Sequence, residues 1–306
     1  MRPSLNTRML AFIVCVVLLS ACIPSTAVSS PDSQASDIPT SLPTLTPTST
    51  AVRCQQIQGR FENGQLQSSM RSAPLDFRVY LPPCYPQAGY RYPVLYLLHG
   101  QLFKLDQWER LGAPAALEEL MRTGNAPPFI IVMPQEPDGL ATQWESKYGD
   151  IIPMELVPLI DQTYQTCTER TCRAIGGLSR GAGWAARIAL INWQTFGAVG
   201  LHSFAPFRGD WNTVPIWVRE IPKEQLPRIY LDIGVQDFML DAATEWEIRL
   251  KNYSVPHEWH INLGTHDEEY WMTHVNEYIL WYGSAWMQPY LDYLKQQGIN
   301  LERSAP

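Results

Sequence analysis

Arg173-Ala174-Ile175-Gly176-Gly177-Leu178-Ser179-Arg180-Gly181-Ala182-Gly183 is the stretch on which the reading of the fold turns. Arg173 to Leu178 is a short apolar run of the kind that forms a strand buried on both faces. Arg180 to Ile191 follows at once, small and apolar on one face, as a helix packed on a sheet would be. Between them, Gly177-Leu178-Ser179-Arg180-Gly181 is a G-x-S-x-G. A serine at that junction sits on a strained strand-to-helix turn that exposes its hydroxyl. Glycines two residues to either side let backbone approach where a Cβ would clash. The helix N-terminus brings free N–H groups and the positive end of its dipole beside the hydroxyl oxygen.

The flanking sequence repeats this alternation. Pro93 to Leu98, ending at His99-Gly100, is a near-continuous apolar run. So are Pro128 to Met133, Phe196 to Leu201 and Arg228 to Ile233, and Trp259 to Leu263 is the last strand. Leu75 to Leu81 largely alternates, as a half-buried strand does. Asn63-Gly64, between Gln58 to Glu62 and Gln65 to Ser69, predicts a tight hairpin turn. Helical spacing covers Ala113 to Arg122, Pro153 to Tyr164, Ala242 to Lys251 and Asp267 to Leu294. An N-terminal antiparallel hairpin followed by alternating buried strands and helices predicts one α/β domain over 54–306. Its sheet is mostly parallel, with helices on both faces. Phe204 to Pro227, rich in Pro and Trp, is expected to cap the site. Of eleven tryptophans, Trp108, Trp144, Trp184, Trp211 and Trp217 could line a groove for sugars or aromatic acids. Core packing is the simpler reading, because Trp buries a large apolar area.

A serine hydroxyl needs a base to take its proton. His266 follows Asn262-Leu263-Gly264-Thr265, directly after the last strand. The carboxyl ends of parallel strands are where open α/β sheets bind ligands. His202 ends a strand, His257 and His260 read as edge or surface residues, and His274 lies in a helical pattern. The third member should be an acid that fixes the imidazole tautomer. Gly234-Val235-Gln236-Asp237 turns off the carboxyl end of the preceding strand, so Asp237 is the choice. Asp232 lies within that strand and would project onto a face, and Asp241 reads as a cap of the next helix. The oxyanion of an acyl-transfer intermediate also needs donors. The Arg180 backbone N–H is one. The Gln101 N–H, in the loop His99-Gly100-Gln101-Leu102, is the other, with His99 shaping that loop.

Several of these motifs together resemble one family. They are Tyr96 to Gly100 with Trp108 downstream, Glu155 to Asp161 leading to Tyr164, and the Gly176 to Gly181 elbow. Gly234 to Asp237, and Gly264 to His266 with Tyr270-Trp271, complete the set. In this order, from about Phe77 to Trp271, they resemble the esterase D-like group of α/β-hydrolases. The resemblance implies the α/β-hydrolase fold, the triad Ser179, Asp237 and His266, and an acyl-enzyme mechanism without a cofactor. Its substrates would be acyl or feruloyl esters of sugars, or siderophore esters. One departure stands out. Many members carry a hydrophobic residue and then a Gly-Gly pair after the nucleophile. Arg180, Gly181 and Ala182 stand here, and a charged side chain so close is expected to alter substrate preference.

The N-terminus sets the compartment. Arg2 and Arg8 precede the apolar run Met9 to Leu19, too short for the roughly 20 residues of a membrane-spanning helix. Leu19-Ser20-Ala21-Cys22 resembles the lipobox of bacterial lipoproteins. This implies cleavage after residue 21 and a lipid on Cys22 that tethers an exported protein to a membrane. Residues 22–53 are dominated by Ser, Thr and Pro and read as an extended spacer. In an oxidising compartment Cys54, Cys84, Cys167 and Cys172 allow three full pairings. Cys54–Cys84 and Cys167–Cys172 are favoured, since Cys54 and Cys84 bound predicted strands and the other two flank a short connection. No Cys or His spacing suits a metal. The net charge of −7, with Lys and Arg scattered, offers no basic stripe for nucleic acid. Three functions stay open: an ester hydrolase, an acyltransferase on the same site, and an inactive binding lipoprotein on a hydrolase scaffold. The complete set of Ser179, Asp237 and His266 argues against the last.

Overall fold

The strands are β1 (Arg60–Leu66), β2 (Leu75–Leu81), β3 (Val94–Leu98), β4 (Ile130–Pro134), β5 (Arg173–Leu178), β6 (Ala198–His202), β7 (Arg228–Gly234) and β8 (Glu258–Asn262). In this computed structural model, which describes residues 54–299, they form one sheet in the order β1-β2-β4-β3-β5-β6-β7-β8. β3 to β8 run parallel, and β1 and β2 are the antiparallel edge. The leader, Cys22 and the spacer 22–53 lie outside the described residues.

Helices α1 (Gln107–Arg110), α2 (Ala113–Arg122), α3 (Tyr148–Ile151), α4 (Val157–Thr163) and α5 (Arg180–Ile191) come first. α6 (Val214–Glu220), α7 (Leu240–Asn252), α8 (Glu268–Ser284) and α9 (Met287–Gln296) follow. The period-two alternation of the strands divides the core. Tyr96, Ile175, Val199, Leu231 and Ile233 face Trp184, Ile188, Trp246 and Leu250 of α5 and α7. Leu95, Leu97, Ala174 and Tyr230 face Leu117 of α2 and Tyr278, Ile279 and Tyr282 of α8. On that second side Gly176 and Gly200 leave room that the Tyr282 hydroxyl fills. A Cβ at either glycine would collide with it.

Three local expectations are corrected. Asn63 and Gly64 are interior to β1, opposite Arg78 and Phe77 of β2, and the connection is 67–74. Gly64 is there because the Phe77 ring lies across it, where a Cβ would overlap the ring. The helix expected over Pro153 to Tyr164 begins as a wide π-helical turn, Ile152–Leu156. Pro158 has no N–H to return to the carbonyl four residues back, so the ladder shifts register there. Phe204 to Pro227 does not roof the site. Its Phe204, Val214 and Val218 sink into the core beside α5 and α7.

Both favoured disulfides are formed, Cys54–Cys84 and Cys167–Cys172. β5 is anchored at its start by Arg173, which is buried. Arg173 gives Nη2 to Asp161 at 2.8 Å and Nη1 to the Thr195 carbonyl at 3.1 Å. Removing one partner of a buried pair leaves the other charge without compensation. Asp161→Asn is therefore expected to lower stability by about 3–5 kcal/mol, read as the shift of the urea midpoint.

Candidate active site

Ser179 follows β5 as the cap residue of α5, with φ 54° and ψ −121°, a positive-φ conformation that costs a non-glycine residue about 1–3 kcal/mol. The surroundings hold it there. Its N–H donates to the His202 carbonyl at 2.9 Å, and its own carbonyl takes the Ala182 N–H at 3.0 Å. A Cβ on Gly177 would collide with the Gly181 backbone, and one on Gly181 with the Leu98 and His99 carbonyls of the β3 end. The two elbow glycines thus allow strand, helix and neighbouring strand to meet at backbone contact.

The His266 Nε2 lies 2.8 Å from the Ser179 Oγ, and its Nδ1 2.8 Å from the Asp237 Oδ2. A carboxylate only accepts, so Nδ1 carries the proton and Nε2 is left to accept from the hydroxyl. Asp237 is buried, and its second oxygen accepts the Met239 N–H at 2.8 Å. Gly234 and Gly264 let the turns bearing Asp237 and His266 approach. A Cβ on Gly234 would meet the Gly264 carbonyl, which takes the Gln236 N–H at 3.0 Å. His266 sits just before Asp267, which caps α8 by accepting the Tyr270 N–H at 2.9 Å.

The other histidines do other things. His202 is fully buried, with Nδ1 2.7 Å from Asp232 and Nε2 3.1 Å from the Tyr282 hydroxyl. Asp232 also accepts from the Tyr270 and Tyr278 hydroxyls at 2.7 and 2.6 Å. Burial, and then the Asp232 charge, push both phenols well above their ordinary range, so they stay donors. This pair lies on the α8 face of the sheet, away from Ser179. His257 is half-buried just before the edge strand β8, 3.2 Å from Glu247, and His260, on that strand, stacks on Tyr230. His274 lies 3.3 Å from Glu277. Asp241 lies in the first turn of α7, and the cap position is Met239, whose side chain makes no cap bond.

A cavity of about 350 Å³ opens beside Ser179, lined by Gly100, Gln101, Phe103, Ser179, His266, Asp267, Glu268 and Trp271. No residue of 204–227 lines it. The Phe238 ring, largely exposed, lies 4.5 Å from the His266 ring at its edge. Gln101 N–H and Arg180 N–H take no acceptor among the described residues, leaving both free for an oxyanion. Four tryptophans pack: Trp108 donates to the Leu98 carbonyl, Trp184 to Glu136, and Trp211 and Trp217 lie partly buried on the core. Trp144 is exposed beneath Arg187, outside the cavity. The Arg180 side chain points away from the cavity into a buried pair with Glu136, with Nη2 2.6 Å from its Oε1. The guanidinium is thus bonded to Glu136 and to the Ala141 carbonyl, and Arg180 is not among the residues lining the cavity. Glu136 and Phe103 were not foreseen. Both follow carboxyl ends of strands, β4 and β3, which is the signal that could have found them.

A profile of the family described as "Putative esterase" matches residues 68–282, most of the chain. The chain belongs to this family. Its fold is the α/β-hydrolase fold. It is 32% identical over 139 residues to an endo-1,4-beta-xylanase/feruloyl esterase of Xylanibacter ruminicola, covering 41% of this chain and 19% of that one. It is 27% identical over 242 residues to esterase Rv1288 of Mycobacterium tuberculosis, covering 61% and 51%. It thus spans about half or less of the length of these curated relatives. A solved ferulic acid esterase superposes with a TM-score of 0.66 at 25% identity, covering 76% of this chain and 99% of that one. At the elbow the packing is backbone against backbone. Gly181→Ala forces methyl against backbone oxygens that cannot move aside. It should cost about 1–3 kcal/mol by thermal melt and leave ester turnover at background.

Proposed function

We propose that Ser179, His266 and Asp237 form the catalytic triad of an ester hydrolase that works through an acyl-enzyme. The observation that carries this reading is the unbroken Asp237–His266–Ser179 hydrogen-bond chain, 2.8 Å at each link, ending on a strained serine beside a cavity. His266 takes the hydroxyl proton as Ser179 attacks the ester carbonyl. The Gln101 and Arg180 N–H groups hold the oxyanion, and His266 returns the proton to the leaving alcohol. Water then enters by the same route and releases the acid. Phe103 and Trp271 in the cavity wall offer aromatic surface to an acyl group of feruloyl size, with the exposed Phe238 ring against His266, and relatives named feruloyl esterase favour the same class. The substrate class proposed is therefore aromatic acyl esters of sugars. The purified protein should release nitrophenol from short nitrophenyl esters and ferulate from methyl ferulate. Ser179→Ala should be silent, and Asp237→Asn should lose about 10⁴-fold in kcat. A folded parent that turns over neither ester would sink the reading. Transfer of the acyl group to an added sugar in preference to water would replace it with an acyltransferase.

We also propose that the enzyme acts outside the cytoplasm, held to a membrane by a lipid on Cys22. The lipobox-like Leu19 to Cys22 supports this, as do two disulfides that need an oxidising compartment. The full-length protein should partition into the detergent phase on Triton X-114 separation, and Cys22→Ser should move it to the aqueous phase. Equal partitioning of the two would overturn the tether.

A further inference from the structure

The two N–H groups proposed to hold the oxyanion belong to different loops, and a chain of buried contacts joins them. The Gly100 carbonyl and the Gln101 N–H are the two ends of one peptide plane and point in opposite directions. The His99 Nδ1 lies 2.8 Å from that carbonyl, and the Phe103 N–H reaches it at 3.2 Å. Holding the carbonyl on one side aims the Gln101 N–H to the other. The tautomer of His99 is fixed in turn. The Glu136 backbone N–H donates to its Nε2 at 2.8 Å, so the ring proton sits on Nδ1, facing the Gly100 carbonyl. Burial pulls the His99 pKa below the ordinary histidine range, which keeps Nε2 free to accept.

Glu136 is itself held by the residue after the nucleophile. Its buried carboxylate takes the Arg180 Nε at 2.9 and 3.0 Å, the Arg180 Nη2 at 2.6 Å and the Trp184 indole N–H at 2.8 Å. Arg180 Nη2 also donates to the Ala141 carbonyl at 2.7 Å. Arg180 therefore presents its backbone N–H to the site and its side chain to the loop that orients the other donor.

We propose that Glu136 and the Arg180 side chain are positioning residues that lock the two oxyanion donors into one unit. The contacts run from the Arg180 side chain to Glu136, from the Glu136 N–H to His99, and from His99 to the Gly100–Gln101 peptide. A shift of either donor must break a buried hydrogen bond or displace the other donor with it. This rests on the esterase reading and adds a role that the triad does not contain.

The test compares parent, Glu136→Gln, Arg180→Met and the double variant with a nitrophenyl ester and with a trifluoromethyl ketone. Ser179 Oγ adds to the ketone carbon, its proton passes to His266 Nε2, and the π-electron pair becomes an oxyanion in the hole, so the ketone Ki reads the donors directly. Each single variant should lose about 10- to 100-fold in kcat, with KM within about threefold. The ketone Ki should rise in parallel, and the double variant should be no worse than the worse single. A merely structural pair would lower the melting temperature and leave the Ki of the folded protein unchanged. That result, or additive losses, overturns the latch. If Glu136→Gln does not fold, Arg180→Met alone decides by the same Ki. An active parent with parent-like variants overturns the latch and leaves the esterase standing. An inert parent overturns both.

Discussion

The rest of the molecule is arranged around one close approach: the turn at Ser179, pressed between the end of β3 and the start of α5. A backbone at φ 54° does not persist by itself, and here it is over-determined from three sides. The His202 carbonyl holds its N–H, the first turn of α5 holds its carbonyl, and the Leu98 and His99 carbonyls lie against Gly181. The neighbouring strands must therefore be in register before the serine can point outward. The buried apolar runs of β3, β5 and β6 supply that register, and this is how a hydrophobic pattern becomes the geometry of a reactive hydroxyl.

The same sheet carries a second Asp–His pair, Asp232 and His202, with donors and distances like those of the first. What separates them is the pleat. Asp232 and His202 lie within strands and are covered by α8, where the Tyr270 and Tyr278 hydroxyls donate to one Asp232 oxygen and His202 Nδ1 partners the other. Asp237 and His266 lie beyond the strand ends, on turns over the rim. Through Tyr270, in the first turn of α8, the covered pair braces the segment that begins at His266.

Much of this was legible in the sequence, because parallel strands buried on both faces are written as apolar runs. β5 and α5 have the boundaries that the pattern gives, and the turns after β7 and β8 follow from strand ends. The misreadings share a cause. Asn63-Gly64 is a turn signal only where no ring needs the space, and the Phe77 that claims it is on the next strand. The insert 204–227 announces itself by Pro and Trp, but composition does not say which face it packs on. Arg180 looked like a feature of the substrate site because its partner, Glu136, is 44 residues away in sequence. Pairings of that range are set by the assembled sheet and leave no local mark.

The chain order of the sheet also sets when the site comes into being. The elbow lies between β5 and α5, yet Ser179 meets His266 only with β8 paired to β7 at the far edge of the sheet. The two residues are 87 apart, which at synthesis rates of about 5–20 residues per second is a delay of roughly 4–17 s. A chain made only as far as α5 thus carries the serine without its base. The hydroxyl gains its base only where the edge strand β8 is in place and Asp267 caps α8 behind His266.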